Sequence, residues 1–150
     1  MRFGGPIFER CADPEAWVQA VKRLGYTAAY CPLDENASDD FVRAYAAAAK
    51  AGNLVIAEVG AWSNPIDPDG AKRKAAIRLN ADRLALADRI GARCCVNIAG
   101  SRSPSWAGPH ADNFTRATFD LIVETVRGII DAVKPARTFY TLECARCEGH

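Results

Sequence analysis

Thr138-Phe139-Tyr140-Thr141-Leu142-Glu143 is the stretch whose reading decides the fold. Five β-branched, aromatic or aliphatic residues in a row predict a short buried strand, and a carboxylate closes it. Loops and helix N-termini converge at the C-terminal end of a parallel strand, so ligands bind there. Glu143 is therefore the first candidate site residue. The residues after it, Cys144 to His150, have no periodicity and read as a divergent tail.

Upstream of that strand the chain alternates. Arg2 to Phe8 reads as a first strand. Asp13-Pro14 then opens a helix, with Asp as N-cap and Pro at the first helical position. Trp17, Val21 and Leu24 recur at helical spacing until Gly25, and Thr27 to Cys31 forms a second strand. Ser38 caps the next helix, which Gly52 ends. Leu54 to Gly60 is a third strand, its apolar run interrupted by Glu58.

The turn-rich loop Ala61 to Gly70 leads into a long helix, about Ala71 to Ile90, with stripes Ile77-Ala81-Leu84 and Leu79-Leu86-Ile90. Cys94 to Ala99 is the fourth strand. A second loop, Gly100 to Asp112, follows, and Asn113 or Thr115 begins the last helix. Phe119, Val123, Val126, Ile130 and Val133 give that helix one apolar face.

The pattern β-α-β-α-β-α-β-α-β, with near-continuous apolar strands, predicts a parallel sheet covered by helices. Two architectures fit it. A five-stranded doubly wound sheet uses the chain as a complete domain. A (β/α)8 TIM barrel needs about 250 residues, so 150 residues would supply its first four βα units and a fifth strand. Periodicity alone leaves both open. The first strand lacks a G-x-G-x-x-G turn, which leaves a dinucleotide site without support.

Composition narrows the partners. With 19 basic and 18 acidic residues the net charge is +1, so no broad field favours nucleic acid or an anionic membrane. No apolar run approaches the roughly 20 residues of a membrane-spanning helix. The N-terminus shows no signal-peptide pattern, so the six cysteines are expected as reduced thiols and the location as the cytoplasm.

Several segments carry a family resemblance in their order and spacing. They are Asp13-Pro14-Glu15-Ala16-Trp17 with Leu24-Gly25-Tyr26, and Val59-Gly60-Ala61-Trp62-Ser63-Asn64-Pro65. Ala87-Asp88-Arg89-Ile90-Gly91-Ala92, Ala99-Gly100-Ser101, Gly108-Pro109-His110 and Thr138 to Glu143 complete the set. On these the chain resembles the N-terminal half of the sugar phosphate isomerase/epimerase family, the xylose isomerase-like TIM barrels. The resemblance covers residues 1–143 and excludes the tail, 144–150.

The resemblance implies a metal-dependent proton transfer on a small sugar or polyol. In that family a Glu ending the fifth strand, matched here by Glu143, binds a divalent ion (Mn²⁺, Mg²⁺ or Zn²⁺) that holds sugar oxygens. The other ligands come from strands six to eight, so this chain is expected to lack most of them and to bind no metal alone. A shortened reading frame is the expected origin of the tail.

The remaining candidates have two readings each. Glu58, near a strand end, could act on substrate as a second catalytic carboxylate, or pair with a neighbouring cation. Asn97 could bind substrate or only satisfy buried polar groups. His110 in the second loop could contact substrate or simply face solvent. Trp62 and Trp106 suit the apolar face of a sugar, or pack loops onto the barrel. Arg102 could take an anion, yet an Arg in a polar loop needs no ligand.

Cys144-x-x-Cys147-x-x-His150 superficially resembles a zinc half-site, but no second C-x-x-C accompanies it. A non-catalytic half-barrel, self-associating through open sheet edges, is the alternative to the isomerase reading. Apurinic-site endonucleases share the barrel. They place histidines on strands three and four, where Glu58 and Asn97 stand here, and the charge balance also argues against them.

Overall fold

A computed structural model describes residues 1–143. Its elements run β1 (Gly4–Gly5), α1 (Pro14–Arg23), β2 (Ala28–Ala29), α2 (Asp39–Ala51), β3 (Val55–Ile56) and β4 (Glu58–Gly60). They continue with α3 (Gly70–Ile90), β5 (Cys94–Ile98), a one-turn 3-10 helix at Ala111–Phe114, α4 (Arg116–Val133) and β6 (Phe139–Glu143). The tail falls outside the described residues.

Local chemistry sets the helix ends. Asp13 accepts from Ala16 N at 2.7 Å ahead of Pro14, and Ser38 accepts from Phe41 N at 3.4 Å. Gly91, at φ 77°, ends α3 in a left-handed conformation that suits a residue without a Cβ. Thr115 rather than Asn113 caps α4, accepting from Thr118 N at 3.3 Å.

Every strand pair is parallel, in the orders β1-β2-β3 and β4-β5-β6. The two ladders are continuous through Ala57. Its N–H donates to Ala29 O at 2.8 Å, and its carbonyl accepts from Cys94 N at 3.2 Å. β3 and β4 are thus halves of the single predicted third strand.

A one-residue bulge separates those halves. After the Ala29–Ile56 pairing, regular spacing would send Cys31 N to Ala57 O. It goes instead to Glu58 O at 2.9 Å. Ile56 and Val59, three apart, therefore both face the helical core. Glu58, two residues after Ile56, turns to the opposite face.

Strand order follows chain order without reversal. Right-handed crossovers then place every helix on one face of the sheet, and α1 packs on α2, α2 on α3 and α3 on α4. A doubly wound sheet needs a reversal of strand order. The fold is the arc of a (β/α)8 barrel: four βα units and a fifth strand.

The core lies between that arc and its helices. Trp17 meets Tyr45 edge-on, with ring centroids 5.7 Å apart, and Val21, Ala29, Leu84, Leu86, Ala87 and Cys95 are fully buried around them.

Three expectations need correction. Leu24 is not part of the buried face of α1; it is the C-cap and exposed. The first strand shrinks from Arg2–Phe8 to two glycines. The predicted stripe of α4 is only partly covered: Val123, Val126, Ile130 and Val133 are half-buried and Phe119 is exposed, while the helix's buried residues are Thr118 and Ile129. Among the described residues α3 is the long helix on which α4 chiefly packs.

Candidate functional site

Strand alternation sorts side chains onto two faces. Ala29, Ile56, Val59, Ala61, Cys95 and Tyr140 pack with the helices. Tyr30, Glu58, Gly60, Val96, Thr141 and Glu143 alternate with them and take the inner face of the arc. The pairing Glu58–Cys94–Phe139 continues to Gly60–Val96–Thr141 and ends at Ile98–Glu143.

Two of the predicted residues, Glu58 and Glu143, lie on that face. Burial first, and then the charge of Glu143, raise the Glu58 carboxyl above its ordinary value. The two carboxylates therefore share one electrostatic environment, although eighty-five positions separate them in the chain. The bulge makes this possible, because an unbulged strand would aim Glu58 into the helices.

A third group completes the cluster. Tyr30 follows β2, its N–H bonded to Gly5 O at 3.3 Å and its ring 43% exposed. The charge of Glu58, then burial, then the charge of Glu143 raise its phenol. Sequence reading missed Tyr30. The signal was present: buried Ala29 fixes the opposite face for residue 30.

Trp62 stands at the same end, 46% exposed, its indole against Gly60. Trp106, half exposed, lies on the loop after β5. Ser101 organises that loop: its Oγ accepts from Ser103 N at 3.0 Å and from Asn113 Nδ2 at 3.1 Å. Asn64 ties this loop to the preceding one, donating to Ser101 O at 2.7 Å and accepting from Ser101 N at 2.9 Å. The two loops thus form one rim.

Asn97 is fully buried and faces the helices. Its Oδ1 accepts from Ser63 N at 3.0 Å, and its Nδ2 reaches Tyr140 Oη at 3.5 Å. Tyr140 in turn donates to Asn80 Oδ1 at 2.6 Å, while Asn80 Nδ2 donates to Ser63 Oγ at 2.8 Å. The arrangement braces strand, helix and loop. Burial pushes the Tyr140 phenol up to about 12, against the opposing pull of Asn97.

His110 caps the 3-10 helix, its Nδ1 accepting from Asp112 N at 3.2 Å. Arg102 N donates to Asn113 Oδ1 at 2.8 Å. Burial raises the half-buried Cys31 thiol to about 11 and the buried Cys95 thiol to about 12, which disfavours the reactive thiolate. The four described cysteines are free.

Among the described residues no three His, Cys, Asp or Glu side chains gather closely enough to hold a metal ion. Glu58 and Glu143 do not make a metal site by themselves. No helix among the described residues is long and apolar enough to cross a membrane.

No protein-family model and no curated protein matches the chain. Solved structures do. A D-psicose 3-epimerase from Clostridium cellulolyticum H10, solved with D-tagatose, is 18% identical with a TM-score of 0.65. The chain covers 95% of its own length and 52% of that structure. A 3-keto-D-glucoside 4-epimerase from E. coli is 13% identical at TM-score 0.64, covering 93% and 55%. A xylose isomerase-like TIM barrel protein from Mycobacterium smegmatis, in complex with magnesium, is 16% identical at TM-score 0.58, covering 94% and 54%.

The chain therefore spans about half the length of the structures it matches, and identities this low establish fold alone. Its fold is that of a xylose isomerase-like TIM barrel, over roughly half of the ring.

Proposed function

We propose that this chain carries the first half of a sugar isomerase or epimerase site, in which two carboxylates move a proton on a small ketose. The observation that carries this reading is that Glu58 and Glu143 share the inner face of the arc, where the charge of Glu143 adds to burial in raising the Glu58 carboxyl. Likeness in fold to a D-psicose 3-epimerase and a 3-keto-D-glucoside 4-epimerase supports the substrate class.

A carbon next to a carbonyl loses a proton when a base stands beside it and an acid supports the developing oxyanion. The raised carboxyl of Glu58 retains its proton more readily and serves as the acid. Glu143 serves as the base. Tyr30, between their fields, donates a hydrogen bond to a sugar hydroxyl, and Trp62 and Trp106 flank the mouth. Any metal bound at Glu143 needs ligands beyond those described. The four described cysteines are free, which fits a cytoplasmic location.

Deuterium wash-in tests the reaction directly. The chain is incubated with D-fructose or D-psicose in heavy water, with and without Mn²⁺, and the sugar is analysed by NMR. Enzyme-dependent deuterium on the carbon beside the carbonyl, lost in Glu143→Gln, is the expected result. No exchange in either metal state would refute catalysis by this chain.

A second reading, association through an open barrel edge, rests on β6. Among the described residues β6 pairs with β5 alone, and Phe139 is 74% exposed on the inner face. Light scattering checks it: a dimer that Phe139→Lys reduces to monomer supports it, and a wild-type monomer at all concentrations removes it.

A further inference from the structure

Ala61 and Ser63 are both tied down. Ala61 N donates to Val96 O at 2.8 Å, and Ser63 N donates to Asn97 Oδ1 at 3.0 Å. Ala61 is buried in the helical core and Ser63 is bonded to Asn80 of α3, so both face the helices. Trp62, between them, is turned the other way. Its indole folds back across the end of β4, so that a Cβ built on Gly60 would lie 2.8 Å from Trp62 Cδ1 and 3.2 Å from Cε2.

Gly60 needs no special backbone conformation, since its φ is outside the left-handed region. A glycine within a strand weakens it, and here the compensation is close approach by an aromatic ring. That missing Cβ points to the inner face, one pleat beyond Glu58.

We propose that Gly60 is a positioning residue: its bare backbone seats the Trp62 indole beside Glu58 and holds it as the platform for the apolar face of a sugar ring. The ligand class rests on the sugar reading above. The seat itself rests on the packing alone. A ring held in one orientation presents its π face without first losing conformational freedom, which is how preorganisation raises affinity.

Gly60→Ala in a Trp106→Phe background tests the seat. Trp17 is buried, so solvent-exposed emission then reports Trp62. The expected result is stronger acrylamide quenching and a red-shifted emission, with far-UV circular dichroism retained. Unchanged quenching in a folded Gly60→Ala protein overturns the proposal. Should Gly60→Ala fail to fold, folding restored by Trp62→Ala supports the seat, and a double variant that also fails overturns it.

Calorimetry with D-fructose and Mn²⁺, Trp106 retained, tests the platform. Gly60→Ala is expected to weaken binding roughly three- to tenfold, and to add nothing once Trp62 is alanine. Equal losses from Gly60→Ala in both backgrounds overturn the coupling. A wild-type chain that ignores D-fructose, while the quenching change appears, overturns the sugar reading and leaves the seat standing.

Discussion

The Tyr140 hydroxyl donates to Asn80 Oδ1 at 2.6 Å, joining β6 to α3 across sixty residues of sequence. Asn80 is fully buried in mid-helix, where an amide is tolerated only because each of its polar atoms has a partner. This bond and the Asn97–Ser63 bond hold the base of the loop from which Trp62 projects.

Tyr140→Phe removes the donor and leaves the Asn80 carbonyl oxygen buried without a partner. The expected loss is about 1–3 kcal/mol of folding stability, read from urea denaturation. A loss near zero would mean that water replaces the phenol.

Glu58 gives a pH-dependent contribution whose sign follows from its raised carboxyl. The folded state holds this proton more tightly than the unfolded state, whose value is near 4.5. The stability linked to that proton is full below the unfolded value and is lost as pH rises through the folded one. Glu58→Gln lacks this loss, so relative to wild type it becomes more stable as pH climbs above about 4.5. Half-exposure keeps the effect small. Denaturation midpoints from pH 3 to 8 check it, and Glu143→Gln should shrink the difference without abolishing it.

Thiol labelling distinguishes the cysteines. Iodoacetamide attacks thiolates, and Cys31 and Cys95 are raised to about 11 and about 12 by burial. Both stay unlabelled in the native protein at pH 8 and become labelled in urea, as peptide mass spectrometry can show. Labelling of native Cys95 would contradict its position under α3.

Leu84 has no exposed surface and sits at the centre of the helical layer. Leu84→Ala is expected to lower stability by about 2–5 kcal/mol, through lost burial and the cavity it leaves. Thermal and urea unfolding measure it.

Much of the fold was legible in order. Asp13-Pro14, Ser38 and Gly91 mark helix ends by chemistry that acts within a turn, and all are found where expected. The strand at Phe139–Glu143 lies where it was read, but it is not the buried strand expected: none of its residues is buried, and among the described residues it pairs with β5 alone. The α4 stripe was legible as helix but misleading as burial: periodicity reports which face is apolar, not whether anything covers it.

The site was less legible. Glu143 and Glu58 stand out as carboxylates closing apolar strands, but their electrostatic contact depends on the bulge after Ile56, which moves Glu58 from one face to the other. Nothing in Val55 to Gly60 announces that extra residue. Asn97 shows the converse. It has the position of a ligand by count, yet its amide braces Ser63 and Tyr140.

By itself the sequence determined the alternation of strands and helices, their caps, and the carboxylate at the end of the fifth strand, because these depend on neighbours a few residues away. Only the tertiary structure decided between an open doubly wound sheet and an arc of a barrel. It alone placed Tyr30 and Glu58 on the inner face within the field of Glu143. Strand order and face are set by long-range pairing and packing, which local periodicity does not encode.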